Sequence, residues 1–185
     1  MSEIIVAKKY ARALYGITEE KGFSEEVKNA LQEVNQLLEQ EGLIDYMVHP
    51  LVELEDKRKI VRLFMENIEL EEEASVTLER FLHLLIDKKR FSLINRIYDE
   101  FEKFYHHDRN IQLVEVITPG GLTETQKERV ISTMEEFTGK QILIEEKHDP
   151  GMVAGIKIIM GTKVLDGSVS AQLERLASTL QATAG

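Results

Sequence analysis

The chain has 185 residues, 43% of them hydrophobic, with 23 Lys/Arg against 33 Asp/Glu for a formal net charge of -10. That apolar share is enough for a core and argues against wholesale disorder, and the negative balance argues against nucleic acid as a partner, since such affinity comes from Lys and Arg neutralising phosphates. The absence of Cys removes disulfide scaffolds, thiolate metal sites, thiol catalysis and iron–sulfur clusters.

In chain order, helix-period stretches are expected at 4–21, 24–41, 43–48, 53–67, 70–88 and 91–108. Gly22, Gly42, Pro50 and the polar break Lys88-Lys89-Arg90 separate them. Ser24 followed by Glu25 and Glu26 predicts an N-cap with acids in the first turn. Glu69, Glu71, Glu72 and Glu73 open the fifth stretch, and Lys88 to Arg90 close it, the order that a helix dipole favours. The grammar changes at Arg109-Asn110. Ile111 to Thr118 is β-branched and partly alternating, a strand. Pro119-Gly120-Gly121 breaks it, Thr123 caps a helix running to Phe137, and Gly139 stops that helix. Gln141 to Lys147 and Met152 to Met160 are expected as further strands, with a Gly161-Thr162 hairpin turn leading into Lys163 to Asp166. Ser168 caps a last helix, Val169 to Gln181, whose Val169, Leu173, Leu176, Ala177 and Leu180 form one core stripe.

The fold class expected is mainly α: a six-helix bundle over 1–108, then a small α+β domain over 109–185. The first 108 residues hold 15 Lys/Arg against 23 Asp/Glu, the remainder 8 against 10. Uncharged apolar runs fall far short of the ~20 residues that span a bilayer. The opening Ile4 to Ala7 meets Lys8 and Lys9 at once, unlike a signal peptide. A soluble protein of a reducing compartment, the cytoplasm, is expected.

No catalytic, cofactor or metal site emerges. His106-His107-Asp108 is the only local His cluster, and adjacent helical His residues point about 100° apart, so the trio is read as a solvated helix end. His83, among Phe81, Leu82, Leu84 and Leu85, is read as a boundary residue. Gly161-Thr162-Lys163 leads into a strand, not a helix, so it is no phosphate loop. Carboxylates such as Asp99, Glu100 and Glu102 lie on polar helix faces. The patch Lys57-Arg58-Lys59 with Arg62 leaves a helical protein- or RNA-binding regulator as an alternative, though a solvated helix face accounts for it.

Two helices are more apolar than their place in a surface bundle requires. With Tyr10 at zero on a helical wheel, Val6, Ala7, Ala13, Leu14 and Ile17 fall within about 60°, and Ala11, Ile4 and Tyr15 extend the arc to about 140°. Lys8, Lys9 and Arg12 occupy the far side. The arc is about 200°, against the ~100° that one buried side needs. The fifth stretch repeats this around Leu78, with Ala74, Phe81, Leu82, Leu85, Leu84 and Ile86, interrupted by Ser75 and Thr77. Either both helices are central and use every side for core, or one flank of each is left as a groove for an amphipathic helix of another chain.

Residues 149–176, DPGMVAGIKIIMGTKVLDGSVSAQLERL, resemble the C-terminal signature of the ATP synthase delta subunit family, called the oligomycin-sensitivity-conferring protein in mitochondria. AKKYARALYGI at 7–17 resembles that family's first helix, and the length and element order match as well. The resemblance implies a non-catalytic stator subunit without cofactor, metal, small-molecule substrate or nucleic acid. Its N-terminal bundle would grip the N-terminal helix of the alpha subunit, and its C-terminal domain would bind the peripheral-stalk b subunit, holding the head still while the rotor couples proton flow to ATP synthesis. The implied location is peripheral, at the cytoplasmic face of the cell membrane. The implied groove falls at Tyr10, Ala13, Leu14, Ile17 and Leu84. Asp166-Gly167-Ser168 is read as a structural turn, with Gly for unusual dihedrals and Ser or Asp for capping.

Overall fold

The computed structural model describes residues 2–39 and 42–167. The first helix, α1 (Glu3–Lys21), ends where Gly22 turns to φ 85°. Glycine reaches that left-handed region without steric cost. There the Gly22 N–H donates to Glu19 O (3.2 Å) and the Phe23 N–H to Thr18 O (3.0 Å), closing carbonyls the helix end leaves open. α2 (Ser24–Glu39) starts at once, and the Ser24 hydroxyl donates to Glu19 Oε2 at 2.6 Å. α3 (Leu43–Val48), α4 (Leu54–Asn67) and α5 (Glu72–Asp87) follow. α5 begins later than the expected 70 because Glu71 is extended, at ψ 150°. It ends with the same double closure as α1: Lys89 N–H donates to Ile86 O and Arg90 N–H to Leu85 O, with Lys89 itself at φ 54°. The stretch expected as one helix from 91 opens as a single 3-10 turn, Phe91–Leu93, and becomes α6 (Ile94–Asp108).

These helices bury one another. Ala7, Ala11, Leu14, Tyr15 and Thr18 of α1 are buried, as are Val27, Leu31 and Val34 of α2 and Leu78, Leu82 and Leu85 of α5. Tyr15 ties α1 to α6, edge-on to Phe101 at 5.4 Å and stacked on Phe104 at 6.0 Å, both favourable ring geometries. The chain divides into two compact units, Met1–Tyr105 and His106–Gly185, a little ahead of the 108/109 boundary expected from sequence.

In the second unit, β1 (Ile111–Thr118) pairs in parallel with β2 (Gln141–His148). Parallel neighbours need a crossover, supplied by α7 (Glu124–Thr138). Thr123 caps α7 with a capping box: its side chain accepts from Gln126 N, and Gln126 Oε1 accepts from Thr123 N. Gly139 ends it in the left-handed region. β3 (Lys157–Met160) runs antiparallel to β1 and carries β4 (Lys163–Asp166), giving the order β2-β1-β3-β4. Alternation along β1 puts Val114 and Val116 in a core with Met134 of α7 and Ile142 of β2.

The strand expected from Met152 begins only at Lys157. Asp149 N–H still donates to Thr118 O of β1 at 3.1 Å, but Asp149 Oδ1 accepts from Gly151 N at 2.9 Å in a turn with Pro150 and Gly155 stands at φ 104°, so 150–155 joins no ladder. The Gly161-Thr162 hairpin forms as expected, Gly161 at φ 59° between the paired Met160 and Lys163. At the expected turn, Asp166 pairs with Lys157. Gly167 is not in the left-handed region, which corrects the dihedral reading. Its N–H donates to Ile156 O at 2.9 Å, and a Cβ there would lie 3.2 Å from that oxygen, so glycine permits a close approach. Ser168 and the helix expected over 169–181 lie outside the described residues.

The Tyr98 hydroxyl on α6 donates to Glu102 Oε1 at 3.2 Å. Burial first, then the Glu102 charge, pushes its phenol up to about 12. A folded pKa raised above the ordinary ~10 adds stability that is complete below pH 10 and is lost as pH rises through 12. Tyr98→Phe should therefore flatten the fall in stability between pH 10 and 12, measured by urea unfolding at stepped pH.

Candidate functional site

α1 and α5 run antiparallel, since Lys21 at the end of α1 pairs with Glu73 at the start of α5 while Tyr10 meets Phe81 edge-on at 6.3 Å. On the wheel, the buried residues of α1 occupy only the flank from about 40° to 140°, and the opposite flank, from about -60° to 0°, holds Val6, Tyr10, Ala13 and Ile17. α5 divides in the same way. Ala74, Leu78, Leu82 and Leu85 face the core, and Thr77, Arg80 and Leu84 do not.

The two spare flanks enclose one groove of about 650 Å³. Tyr10, Ala13, Leu14, Ile17 and Leu84, the five residues at which the resemblance implies a groove, all line it. Their exposure differs. Leu14 is only 2% exposed and forms the floor, while Ile17 at 48% and Leu84 at 41% face solvent. Phe81 joins the wall, and Lys9, Lys21, Thr77 and Arg80 rim it. Sequence reading passed over these rim residues, taking Thr77 as an interruption of the apolar arc. The signal was present, because Thr77 and Arg80 precede Leu84 by seven and four residues, the spacing of one helical face. From Lys9 to Lys21 the wall rises about 18 Å at 1.5 Å per residue, the length of roughly three helical turns. Nothing in the groove is arranged for bond-making: its rim charges are Lys and Arg, and its walls are aliphatic and aromatic.

The other candidates resolve differently. His106 is buried, not the solvated helix end expected, while His107 Nδ1 lies 3.0 Å from Asp108 Oδ1. Among the described residues no group of three His, Cys, Asp or Glu is placed to hold a metal. His83 is half-buried, with Nε2 3.9 Å from Glu79 Oε1 and, among the described residues, without a hydrogen-bond partner. The basic patch of α4 is not a free cationic surface. Arg58 pairs with Asp87 and Glu55, Lys59 with Asp56 and Arg62 with Glu55. Lys57, expected on a solvated face, is buried. In the second unit, Lys127 of α7 bridges to Glu146 of β2 at 2.7 Å, which holds that carboxyl below its usual range.

The family model described as ATP synthase delta (OSCP) subunit matches residues 6–180. The chain belongs to the ATP synthase delta (OSCP) subunit family. The ATP synthase subunit delta of Desulfotalea psychrophila is 29% identical over 182 residues, covering 98% of each chain. The sodium-ion-specific ATP synthase subunit delta of Propionigenium modestum is 33% identical, covering 96% of this chain and 99% of its own. In fold, the chain matches one in the cryo-EM structure of the Toxoplasma gondii mitochondrial ATP synthase hexamer with TM-score 0.73 at 21% identity, over 95% of this chain and 97% of that one. The delta (OSCP) fold, a helical bundle followed by a small α+β unit, is thus the one seen here.

The floor and rim of the groove should respond differently to mutation. Ala13→Glu, on the exposed wall, should change unfolding free energy by no more than about 0.5 kcal/mol, and Leu14→Ala, in the floor, should cost about 2–5 kcal/mol. Chemical denaturation of both variants checks this. A large loss from Ala13→Glu would make that flank core.

Proposed function

We propose that the α1/α5 groove seats an amphipathic helix from the N-terminus of the ATP synthase alpha subunit and that the C-terminal unit carries the peripheral-stalk b subunit. The chain is a non-catalytic stator subunit of ATP synthase and assembles with other subunits of that complex. The observation that carries the reading is Ile17 and Leu84, both solvent-facing on opposite walls of one apolar trough about three turns long. A helix laid there would present side chains at i, i+3 or i+4, and i+7 to the trough, the usual way a helix docks in a groove. Each aliphatic side chain fully buried contributes about 1.5–3 kcal/mol, against an ordering cost of about 4–15 kcal/mol for association. Three or four anchors, together about 5–12 kcal/mol, are of the size of that cost, and a trough of about three turns has room for that many.

Among the described residues no helix is long and apolar enough to cross a membrane. In this reading the chain works at the cytoplasmic face of the cell membrane, reaching the membrane through its partners. It carries the torque reaction of the head, so that rotation of the central rotor drives ATP synthesis instead of dragging the head round.

Titration of the full chain with a synthetic alpha-subunit N-terminal peptide, followed by calorimetry, should give saturable one-to-one binding. Ala13→Glu and Leu84→Glu should each weaken it at least tenfold. Leu63→Glu, on α4 and exposed but outside the groove, should leave it unchanged. Absence of binding, or equal weakening by Leu63→Glu, would sink the groove assignment.

A further inference from the structure

A second concavity, of about 560 Å³, lies at the junction of the α3–α4 connection, the first turn of α4 and the end of α5. Met47, Val52, Ile86 and Phe91 give it apolar walls, and Lys57 and Lys89 also line it. Lys57 is 8% exposed. Its ammonium donates to His49 O at 2.8 Å, and among the described residues it makes no ion pair. The contrast with its helix neighbours is sharp. Arg58, Lys59 and Arg62 are more exposed, and each meets a carboxylate. Burying a cation without a counter-charge is the costly arrangement, while an exposed cation needs no partner. An ammonium has three N–H donors, so among the described residues two of those on Lys57 have no protein acceptor. Glu53, four residues earlier and lining the same pocket, forms no ion pair with it. Lys89 adds a second cation from a residue at φ 54°, a region that lysine occupies at a cost and glycine would not.

We infer that this pocket binds a carboxylate on a short apolar stem, the oxygens meeting the Lys57 ammonium and the stem lying between Ile86 and Phe91. The site is separate from the α1/α5 groove and does not rest on its assignment, since no residue lines both. Its volume falls in the range of small-ligand pockets. Two sources share the chemistry: a free medium-chain acid, and the C-terminal carboxylate of a peptide ending in an aliphatic residue.

The test is a ¹H–¹⁵N NMR titration of the full chain with sodium octanoate and, separately, octanamide. Octanoate should shift the amides of Lys57, Ile86, Phe91 and Ser92 saturably, at least tenfold more tightly than the amide of equal length. Lys57→Met should reduce octanoate to the octanamide level, whereas Leu63→Glu, outside both concavities, should leave octanoate binding unchanged. Should Lys57→Met fail to fold, the octanoate-to-octanamide ratio in the unsubstituted protein and the exposed-site variant Lys89→Gln, expected to weaken octanoate, decide the matter. An Ala-Ala-Leu peptide with a free C-terminus, compared with its C-terminal amide, separates the sources. Saturation of the same resonances by the free-carboxylate peptide alone assigns a chain terminus, and saturation by octanoate alone assigns a free acid. Equal binding of octanoate and octanamide, shifts confined to other residues, or no saturation by either carboxylate overturns the inference.

Discussion

Ala7 and Ala11 are wholly buried on α1, about one turn apart, and side chains this small let the helix settle against its neighbours until Leu14, Tyr15 and Thr18 are covered as well. That buried flank fixes the rotation of α1 about its own axis. Tyr15, held between Phe101 and Phe104, adds a directional constraint, because edge and stacked ring contacts are lost if the helix turns by a few tens of degrees. With the rotation fixed, Tyr10, Ala13 and Ile17 face outward whatever their hydrophobicity. The groove is therefore a by-product of core packing: the bundle consumes about half of an apolar arc that is twice as wide as it needs.

This explains how much of the site was legible in the sequence. An arc of about 200° says that α1 has more apolar surface than one interface takes. It does not say which half the core uses, because Leu14 and Ala13 are adjacent in sequence and similar in polarity. Only the small size of Ala7 and Ala11, together with the ring partners of Tyr15, separates the flanks, and those partners lie some ninety residues away on α6. Local pattern reports amphipathicity, and long-range packing assigns the faces. The rim was missed for a related reason. Lys9 lies on the far side of its wheel and Thr77 interrupts the arc of α5, and only with α1 and α5 side by side do they form a rim with Arg80.

The second unit was legible where a local chemical device forces the structure. Thr123 with Gln126 caps α7, and Gly161 makes the hairpin, each within four residues of sequence. Legibility failed where composition and conformation part company. Met152 to Met160 is apolar enough for a strand, yet the Asp149–Gly151 turn and Gly155 keep its first half out of the ladder. Gly167 was read as a dihedral requirement and is a proximity requirement, visible only once Ile156 O is placed against it. Lys57 departs from its neighbours because Arg58, Lys59 and Arg62 are more exposed and paired, and a charge run invites one interpretation for all its members.

Compared, these two concavities illustrate why volume alone does not define a ligand. They differ little in size, yet one is an open trough with aliphatic walls and cations on its rim, where water keeps them screened. The other has in its lining a lysine only 8% exposed, whose ammonium meets a backbone carbonyl and, among the described residues, no carboxylate. The trough selects for a long apolar stripe, and its rim charges bias orientation and rate of approach more than strength. The pocket selects for a negative group first and for apolar fit second. A partner suited to one is poorly suited to the other, so occupancy of the Lys57 pocket and docking in the α1/α5 groove would discriminate by different physical terms, charge in the first and apolar contact in the second.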